Sequence, residues 1–426
     1  MPRKITAAAI QLRAHERKNL TQTWPAIRAR IAEAASKGAR LIVLPEGTLP
    51  AYVLGYQDFA PAELGAILSE LGQLAAQLQG VIVVGAARSV AERTYNSALV
   101  FDSDGTLAGA ADKYFLWHFD RQWFAPGNDL RPIRTSIGQL GVLICADGRI
   151  PTIASTLVDR GAEVLVMPTA WVTSGRDPQN LENVQADLLA RIRARENGVP
   201  FIAANKCGVE LHCVAYCGKS QIIDAEGNTL AKGSQSDEAI VLAEISIGEP
   251  HPARDAGSLK PPTAGPNHAA HSQRIAVSHK DIAPGSELLR IVEADIVITP
   301  ATAASLNQQV PQASAITGAD FYDPRALVER RLSGYDLAIW LAEGDDGWQA
   351  DFARARALEL RLYVVVLDPK GRRAYVVDPD GAIVCGTFGD YEIAGFTFDP
   401  QRTAQTLVAP GTDIQEGLAR VHATAT

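Results

Sequence analysis

Three reactive side chains lie just beyond, or between, short apolar segments of this sequence. Glu46 follows Leu41-Ile-Val-Leu-Pro, Cys145 follows Leu143-Ile, and Lys113 lies between them along the chain. Such apolar runs predict buried strands, and the loop at a strand end can hold a side chain in a fixed, exposed position. A carboxylate, an ammonium and a thiol are the groups needed to hydrolyse a carbon–nitrogen bond through a covalent thioester.

Seven short motifs, in this order, resemble the carbon–nitrogen hydrolase (nitrilase/amidase) superfamily. Each is weak alone, but together they span roughly the first 250 residues in the order typical of that family. The motifs are Leu44-Pro-Glu46-Gly, Asp112-Lys113, Phe124-Ala-Pro126-Gly127-Asn, Ile144-Cys145-Ala-Asp147, Pro168-Thr-Ala-Trp171, Arg195-Glu-Asn197 and Gly218-Lys-Ser220-Gln-Ile-Ile-Asp224. The resemblance implies an α/β fold of four layers, an α-β-β-α sandwich, and at least a dimer.

The resemblance also assigns roles to the three reactive groups. Cys145 is the predicted nucleophile, and a nearby ammonium and a helix N-terminus would favour its thiolate. Glu46 is the predicted general base, which takes the thiol proton, passes it to the leaving nitrogen and later activates water. Lys113 and the backbone N–H of Ala146 are predicted to stabilise the developing oxyanion. The alternatives are a structural cysteine, a surface glutamate and a solvated lysine, which the motif context disfavours.

Two aspartates near these motifs refine the prediction. Asp120 stands where many family members place a second glutamate, six residues before the proline of Phe-x-Pro-Gly. We expect Asp120 to orient Lys113 or the substrate; the alternative is an ion pair with Arg121 or Arg131. True nitrilases tend to carry Cys-Trp-Glu at the nucleophile, so Cys-Ala-Asp147 favours an amidase or carbamoylase.

Aromatic residues near strand ends are candidates for the substrate-binding wall. Trp171 follows a predicted strand, Tyr52 lies six positions past Glu46, and Trp123 and Trp117 precede Pro126. Core packing is at least as common a role for such aromatic residues and remains the alternative.

Composition limits the possible partners and compartment. The net charge of -8 argues against nucleic acid or an anionic membrane as a partner, and no apolar run is long enough for a membrane span. Five cysteines, an odd number, fit free thiols in a reducing compartment, and the short interrupted apolar start fits a first strand better than a signal peptide. We therefore predict a cytoplasmic homo-oligomer, a dimer or higher, that acts on a small molecule.

Neither a metal nor a cofactor is predicted. The sequence carries no nucleotide fingerprint, no Gly-rich phosphate loop and no metal triad. Cys207, Cys213 and Cys217 lie close together with His212, but their spacings match no common zinc pattern and favour a strand–loop–strand segment.

Strands alternate with helices along the first half of the chain, which indicates an α/β domain. Strands are predicted at 4–11, 41–45, 81–85, 140–145, 164–167 and 201–205, helices at 19–37, 61–79, from 151 and at 179–197, and hairpins around 104–105 and 226–227.

The chain divides into three predicted parts. Residues 1–248 form the catalytic domain, 249–272 a Pro-rich linker, and 273–426 a degenerate nitrilase-like second copy of smaller size. In that copy Gly318-Ala-Asp320 aligns with Cys145-Ala-Asp147, and Pro324 then falls on Pro151 without a gap. Chance similarity between two α/β segments is the alternative. Because the glutamate position holds Ala301 and the thiol position Gly318, this copy would be non-catalytic, and it could imitate or modify a subunit contact.

The predicted reaction is hydrolysis of a small linear amide or N-carbamoyl compound through a cysteine thioester, with release of ammonia or an amine. Nitrile hydrolysis and acyl transfer by the same triad are alternatives within this chemistry. A non-catalytic regulatory or binding protein of the same fold is the alternative from a different class.

Overall fold

The computed structural model describes residues 3–54, 61–173, 176–248, 271–283, 285–294, 296–310, 312–387 and 391–425. The chain folds into two compact units, Met1–Ala256 and Gly257–Thr426, which are described separately. Almost all of the predicted linker, residues 249–272, lies outside the described residues.

The first unit is built from alternating strands and helices, as the sequence indicated. Its strands are β1 (Arg3–Arg13), β2 (Ala39–Val43), β3 (Val81–Val90), β4 (Arg93–Phe101), β5 (Leu107–Asp112), β6 (Ile133–Thr135), β7 (Gly138–Val142), β8 (Val164–Pro168), β9 (Phe201–Ala204), β10 (Lys206–Glu210), β11 (Val214–Cys217), β12 (Gln221–Ile223), β13 (Thr229–Lys232) and β14 (Ala239–Ile247). Its helices are α1 (Leu20–Ser36), α2 (Pro61–Leu78), α3 (Pro151–Asp159) and α4 (Ala190–Asn197).

These strands form two sheets that pack face to face. The first has the order β11-β10-β1-β2-β3-β4-β5, with β14 also paired to β1, and the second has the order β13-β12-β9-β8-β7-β6. Strands β1, β2 and β3 contact β8 and β9 of the other sheet, whereas α1 and α2 pack on the first sheet and α3 and α4 on the second. The predicted four-layer α-β-β-α sandwich is therefore confirmed.

Strand β2 shows why these central strands are apolar throughout. Ile42 packs in one core cluster with Ile27 and Ile31 of α1, while Leu41 and Val43 are equally buried but lie outside that cluster. Successive side chains of a strand point to opposite faces, so one face of β2 meets the helices and the other meets the second sheet.

The two sheets place the predicted reactive groups at one edge of the sandwich. Glu46 follows β2, Lys113 follows β5, and Cys145 follows β7. The backbone N–H of Glu46 donates to the carbonyl of Thr169, just past β8, at 3.3 Å, so the strand ends of the two sheets are joined directly.

Three predicted element boundaries are wrong. The strand predicted over 140–145 ends at Val142, and Cys145 begins a 3₁₀ helix instead. The helix predicted from residue 179 begins with a π-helical turn, Gln185–Leu189, before α4, because the preceding polar residues 177–183 form turns through their own side chains, such as Asp177 and Asn183. The strand predicted to residue 45 ends at Val43.

The cysteine-rich segment is a strand–loop–strand, β10 and β11, and all five cysteines are free thiols.

The second unit has its own core of strands and helices. Its strands are β15 (Gln273–Val277), β16 (Ile296–Ile298), β17 (Ala313–Thr317), β18 (Leu337–Leu341), β19 (Tyr363–Asp368), β20 (Arg373–Val377), β21 (Ile383–Gly386), β22 (Ala394–Phe398), β23 (Leu407–Ala409) and β24 (Thr412–Asp413). Its helices are α5 (Glu287–Ile291), α6 (Pro324–Leu332), α7 (Gln349–Leu360), α8 (Pro400–Thr403) and α9 (Ile414–Ala425).

The strand order of the second unit repeats part of the first. A three-stranded sheet has the order β16-β15-β22, with β15 parallel to β16 and antiparallel to β22, as β1 is to β2 and β14. A five-stranded sheet, β17-β18-β19-β20-β21, repeats the parallel and antiparallel pattern of β7-β8-β9-β12-β13. Side chains from both sheets, including Ile275 and Ile339, share one hydrophobic core.

Within the described residues, no helix combines the length and the apolar character that a membrane span requires.

Gly85 of β3 tests how tightly the first sheet holds the Glu46 segment. A Cβ at Gly85 would lie 2.5 Å from the Glu46 Cα and also collide with the Pro45 carbonyl, so Gly85→Ala must displace the loop that carries Glu46. We expect a free energy of unfolding about 1–3 kcal/mol lower, as for overpacked cores. The hydrolase activity that the sequence predicts should fall by more than the loss of folded protein explains. Urea unfolding and steady-state kinetics measure both.

The matched control is Gly80→Ala, where the added Cβ meets its nearest atom, the Arg40 carbonyl oxygen, at an ordinary 3.5 Å. A Gly85→Ala variant with the same stability and the same predicted activity as the Gly80→Ala variant would contradict this packing.

Candidate active site

Glu46 is a fully buried carboxylate with one oxygen engaged and one free. Its Oε1 accepts hydrogen bonds from Asn96 Nδ2 at 2.7 Å and from Lys113 Nζ at 2.8 Å. Its Oε2 is buried and has no hydrogen-bond partner among the described residues. Since buried polar atoms are normally satisfied, a free carboxylate oxygen marks a place where a proton or a reactant is received.

Lys113 is fully buried between two carboxylates. Its Nζ lies 2.8 Å from Glu46 Oε1 and 2.5 Å from Asp120 Oδ2. Burial alone would lower the pKa of Lys113, but the charges of Asp120 and Glu46 outweigh it, and the pKa is raised well above its usual value. Lys113 is therefore a fixed cation.

Asp120 is the second carboxylate that contacts the Lys113 ammonium. It lies in a 3₁₀ turn, His118–Gln122, and its Oδ2 also accepts the Trp117 backbone N–H at 3.0 Å. Its Oδ1 accepts the Tyr52 hydroxyl at 3.0 Å. Of the two alternative ion-pair partners, Arg131 pairs with Asp129 instead. The structure thus places Asp120 where it can orient Lys113.

Cys145 opens a short 3₁₀ helix, Cys145–Arg149, in the left-handed backbone region, with φ of +47°. Its side chain is buried. Burial and the Glu46 charge raise the pKa of the thiol to about 12, although Lys113, the Thr169 hydroxyl and the Ala170 N–H oppose this. Lys113 favours the thiolate, as expected, but desolvation outweighs its effect, so the thiol is protonated at neutral pH. A protonated thiol needs a base, and Glu46 is the carboxylate that raises its pKa.

Asp147 has a structural role that the sequence did not reveal. Its Oδ1 accepts the N–H groups of Tyr114 and Phe115 at 3.0 and 2.7 Å, and its Oδ2 accepts that of Ile144 at 2.9 Å. These bonds tie the segment after Lys113 to the residue before Cys145. Burial raises the pKa of Asp147 to about 7, while the N–H donors of Phe115 and Ile144 favour its ionised form. The only available signal was its position two residues after the nucleophile.

Thr169 is a second residue that sequence reasoning missed. Its hydroxyl is buried, and its interaction with the Cys145 thiol lowers the pKa of that group. The predicted oxyanion donor Ala146 directly follows the nucleophile and is buried. The motif Pro168-Thr-Ala-Trp171 contains Thr169, but in the sequence it indicated a role only for Trp171.

The predicted aromatic wall residues have different environments. Tyr52 reaches the site through its hydroxyl on Asp120, and Trp171 is buried with its Nε1 lacking a hydrogen-bond partner in the described part of the chain. Trp123 packs against an apolar cluster that includes Leu54 and Phe124, which favours core packing for that residue.

A buried ion pair between Lys206 and Glu210 supports the loop that carries Tyr52. Glu210 accepts the Val53 N–H at 2.8 Å, the Tyr216 hydroxyl at 2.7 Å and the Lys206 ammonium at 3.2 Å. Lys206 lies near the ring faces of Tyr52 and Tyr216, and burial lowers its pKa. This network was not predicted, because neither Lys206 nor Glu210 belongs to a recognised motif.

No group of three or more histidine, cysteine or acidic side chains in the described residues could hold a metal ion.

Comparisons with known proteins agree with this geometry. Residues 6–255 match the carbon-nitrogen hydrolase family model. An omega-amidase of Danio rerio is 30% identical over 57% of this chain and 89% of its own length. An N-carbamoylputrescine amidase of Arabidopsis thaliana is 26% identical over 58% of this chain and 90% of its own. A Helicobacter pylori carbon-nitrogen hydrolase structure is 28% identical, with a TM-score of 0.51, over 57% of this chain and 89% of that one.

The chain therefore belongs to the carbon–nitrogen hydrolase family. It is an amidohydrolase that acts on carbon–nitrogen bonds other than peptide bonds, with Cys145 as its nucleophile.

Glu46→Gln keeps the size of the side chain but removes both its negative charge and its ability to accept a proton. Two measurements distinguish these two effects. In Glu46→Gln the negative charge that raises the thiol pKa is gone, so alkylation of Cys145 should reach half its maximal rate at lower pH. Hydrolysis should nevertheless fall by about 10²–10⁴-fold, because the amide cannot take the thiol proton. Iodoacetamide kinetics across pH and ammonia release measure the two effects.

Glu163→Gln is the control, because Glu163 is also buried but bonds to Arg3 and the Gln139 N–H in a different region. A Glu46→Gln enzyme that keeps more than a tenth of its activity would contradict the general-base role.

The tether formed by Asp147 is tested by Asp147→Asn. Three N–H donors face this side chain, and an amide group must turn its own N–H₂ toward at least one of them. We expect a loss of about 1–3 kcal/mol in stability, as for a buried unsatisfied donor, together with reduced kcat. Asp224→Asn, in a surface turn that bonds to the Glu226 and Asn228 N–H groups, should lower stability only. Equal effects of the two variants on kcat would rule out a tether specific to the site.

Proposed function

We propose that this enzyme hydrolyses a small linear amide or N-carbamoyl compound through a Cys145 thioester, releasing ammonia or an amine. The observation that carries this proposal is the buried Lys113 ammonium, held by Glu46 and Asp120 beside a protonated thiol, with one oxygen of Glu46 left free. That arrangement supplies a cation for the oxyanion and a base for the thiol in one water-poor site.

Each step follows from these positions. Glu46 takes the Cys145 proton as the sulfur attacks the carbonyl carbon, and Lys113 with the Ala146 N–H stabilises the resulting oxyanion. When the tetrahedral intermediate collapses, Glu46 gives the proton to the leaving nitrogen, so the amine or ammonia departs neutral and a thioester remains. Glu46 then removes a proton from water, which attacks the thioester and regenerates the thiol and the acid product.

An amide or carbamoyl substrate is favoured over a nitrile. The relatives include an omega-amidase, an N-carbamoylputrescine amidase and a citrullinase, alongside proteins named nitrilases. Cys145-Ala-Asp147 departs from the Cys-Trp-Glu typical of true nitrilases. Trp171 and Tyr52 are proposed as parts of the substrate wall.

We further propose that the second unit is a degenerate, non-catalytic copy of the first. Besides the repeated strand order, Gly318 opens a 3₁₀ helix with φ of +51°, as Cys145 does with φ of +47°. Each short helix is followed by a helix that begins with a proline, Pro324 of α6 or Pro151 of α3.

Hydrogen bonds around the next helix repeat as well. Arg191 Nε donates to the Gly227 carbonyl at 3.1 Å, and Arg354 Nε donates to the Gly381 carbonyl at 3.0 Å. Two residues later, a buried arginine pairs with a glutamate one turn on, as Arg193–Glu196 in the first unit and Arg356–Glu359 in the second. Chance resemblance of two α/β folds does not require these side-chain bonds to recur.

A role of this copy at a subunit contact, homo-oligomerisation and cytoplasmic location remain predictions.

The proposed function is tested by ammonia release from amides, N-carbamoyl amines, N-carbamoyl amino acids and nitriles. We expect release from at least one amide or N-carbamoyl compound, and none from Cys145→Ala, since the second unit supplies no nucleophile. Cys385→Ala, which removes the one thiol of the second unit, should leave the activity unchanged. Activity that survives in Cys145→Ala would overturn both proposals, and activity on nitriles alone would overturn the substrate class.

A further inference from the structure

Glu210 and Lys206, at the two ends of β10, form a buried ion pair that the reaction scheme does not use. Lys206 Nζ lies 3.2 Å from Glu210 Oε2, and both side chains are completely buried. Taking two charges out of water is costly, and apolar side chains of similar volume often give equal or greater stability. Stability alone is therefore a poor explanation for this pair, and its further contacts point to a second role.

Glu210 connects the hairpin β10–β11 to the loop that carries Tyr52. Its Oε1 accepts the N–H of Val53, the residue after Tyr52, at 2.8 Å, and its Oε2 accepts the hydroxyl of Tyr216 of β11 at 2.7 Å. Lys206 Nζ lies 5.9 Å from the centre of the Tyr52 ring and 5.5 Å from that of Tyr216, and the two rings meet edge to face. The backbone beside Tyr52 and its ring are thus both held by the hairpin.

His15 fixes the other end of the Tyr52 loop, residues 48–53. Its Nε2 donates to the Pro50 carbonyl oxygen at 2.9 Å and lies 3.2 Å from that of Thr48. Burial, together with the charge of Lys206, lowers the pKa of His15 to about 4, so the ring is neutral at neutral pH. A carbonyl only accepts, so Nε2 carries the ring hydrogen. The Tyr52 loop is therefore anchored at both ends by buried side chains.

The hydroxyl of Tyr52 connects this loop to the buried ammonium of the active site. It donates to Asp120 Oδ1 at 3.0 Å, and Asp120 Oδ2 in turn accepts Lys113 Nζ at 2.5 Å. Because Asp120 binds Tyr52 through one oxygen and Lys113 through the other, its orientation depends on both. A continuous series of contacts therefore runs from Glu210 through the Tyr52 loop to Lys113.

We propose that Glu210 is a positioning residue of this hydrolase: it holds the Tyr52 hydroxyl on Asp120, and so keeps the catalytic ammonium where the oxyanion develops. This rests on the oxyanion role proposed for Lys113. The Glu210 carboxylate supplies the acceptor that the backbone N–H after Tyr52 requires, and Lys206 compensates the charge that it brings into the core. Displacing a catalytic group by only about 1 Å can cost a large part of the rate, so a residue that touches no reactant can still control kcat.

The test combines Glu210→Gln with Tyr52→Phe in the full-length enzyme. An amide has one oxygen, so Glu210→Gln cannot accept the backbone N–H and at the same time face its lysine partner with an oxygen. Tyr52→Phe keeps the ring but removes the hydroxyl that Asp120 accepts. Glu163→Gln is the matched control, because Glu163 is also buried and also accepts a backbone N–H and a cation, in a different region.

Glu210→Gln should lower kcat about tenfold or more, because the ammonium is misplaced in the transition state, and change KM less than about threefold. Tyr52→Phe should act in the same way. Since the two changes break the same series of contacts, the double variant should lose at most about threefold more than the more impaired single variant. Glu163→Gln should change kcat less than about twofold, with all rates taken per mole of folded enzyme. Losses that multiply in the double variant, or an equal loss in Glu163→Gln, would show a merely structural role and overturn the proposal.

Tyr216→Phe covers the case in which Glu210→Gln fails to fold. It removes a single hydroxyl from Glu210 and should lower kcat about threefold or more, as for one lost hydrogen bond to a charged group. Combined with Tyr52→Phe, its loss should again not multiply. An unchanged kcat in Tyr216→Phe, or losses that multiply, would overturn the positioning role.

Alkylation of Cys145 by iodoacetamide tests the positioning without turnover and separates this proposal from the proposed function. Lys113 favours the thiolate, so a displaced ammonium should slow alkylation at a fixed pH by about threefold or more. We expect this in Glu210→Gln and Tyr52→Phe but not in Glu163→Gln, and unchanged alkylation in the first two would overturn the proposal. If Cys145→Ala still releases ammonia while Glu210→Gln is alkylated slowly, the proposed function fails and the positioning role stands.

Discussion

Everything at the active site depends on the buried ion triplet of Glu46, Lys113 and Asp120. Removing three charges from water costs several kcal/mol per ion, and only close contacts compensate for it. Lys113 Nζ meets both carboxylates at 2.8 and 2.5 Å, and Asn96, Tyr52 and the Trp117 N–H satisfy further carboxylate oxygens. Without Lys113, two like charges would face each other in the core. The ammonium is therefore both the stabiliser of the triplet and the cation available to the oxyanion.

The protonation states follow from the same burial. A thiol whose pKa is raised to about 12 is neutral at rest, which protects it from unproductive reactions. The free oxygen of Glu46 is the acceptor that can activate it, while the other oxygen is held by Asn96 and Lys113. One oxygen of Glu46, Oε1, therefore positions the Lys113 ammonium, and the other, Oε2, is available to transfer the proton.

The sequence predicted the layers and the three reactive groups because these depend on local signals. Strands that alternate with helices indicate an α/β domain, and the family resemblance implies the four-layer sandwich. Glu46, Lys113 and Cys145 each lie within a motif that carries this resemblance. Asp120 could also be placed, by its distance from Pro126. The cis peptide bond at Leu49-Pro50 and the π-helical turn before α4 carry no comparable signal.

Contacts between segments far apart in the chain could not be read from the sequence. Glu210 and Val53 are separated by 157 positions, so their bond depends on how β10 meets the Tyr52 loop. The net pKa of the Cys145 thiol could not be predicted for a related reason, because a motif indicates which charges are near but not how completely water is excluded.

The most direct test of the account is the mass of the Cys145 peptide after rapid acid quenching of the enzyme during turnover of a hydrolysed amide or N-carbamoyl compound. The account predicts a transient increase equal to the acyl or carbamoyl group, confined to Cys145, that appears before steady state and disappears as substrate is exhausted. Full turnover with no adduct under quenching fast enough to resolve the first cycle, or with the adduct on another residue, would contradict covalent catalysis by Cys145.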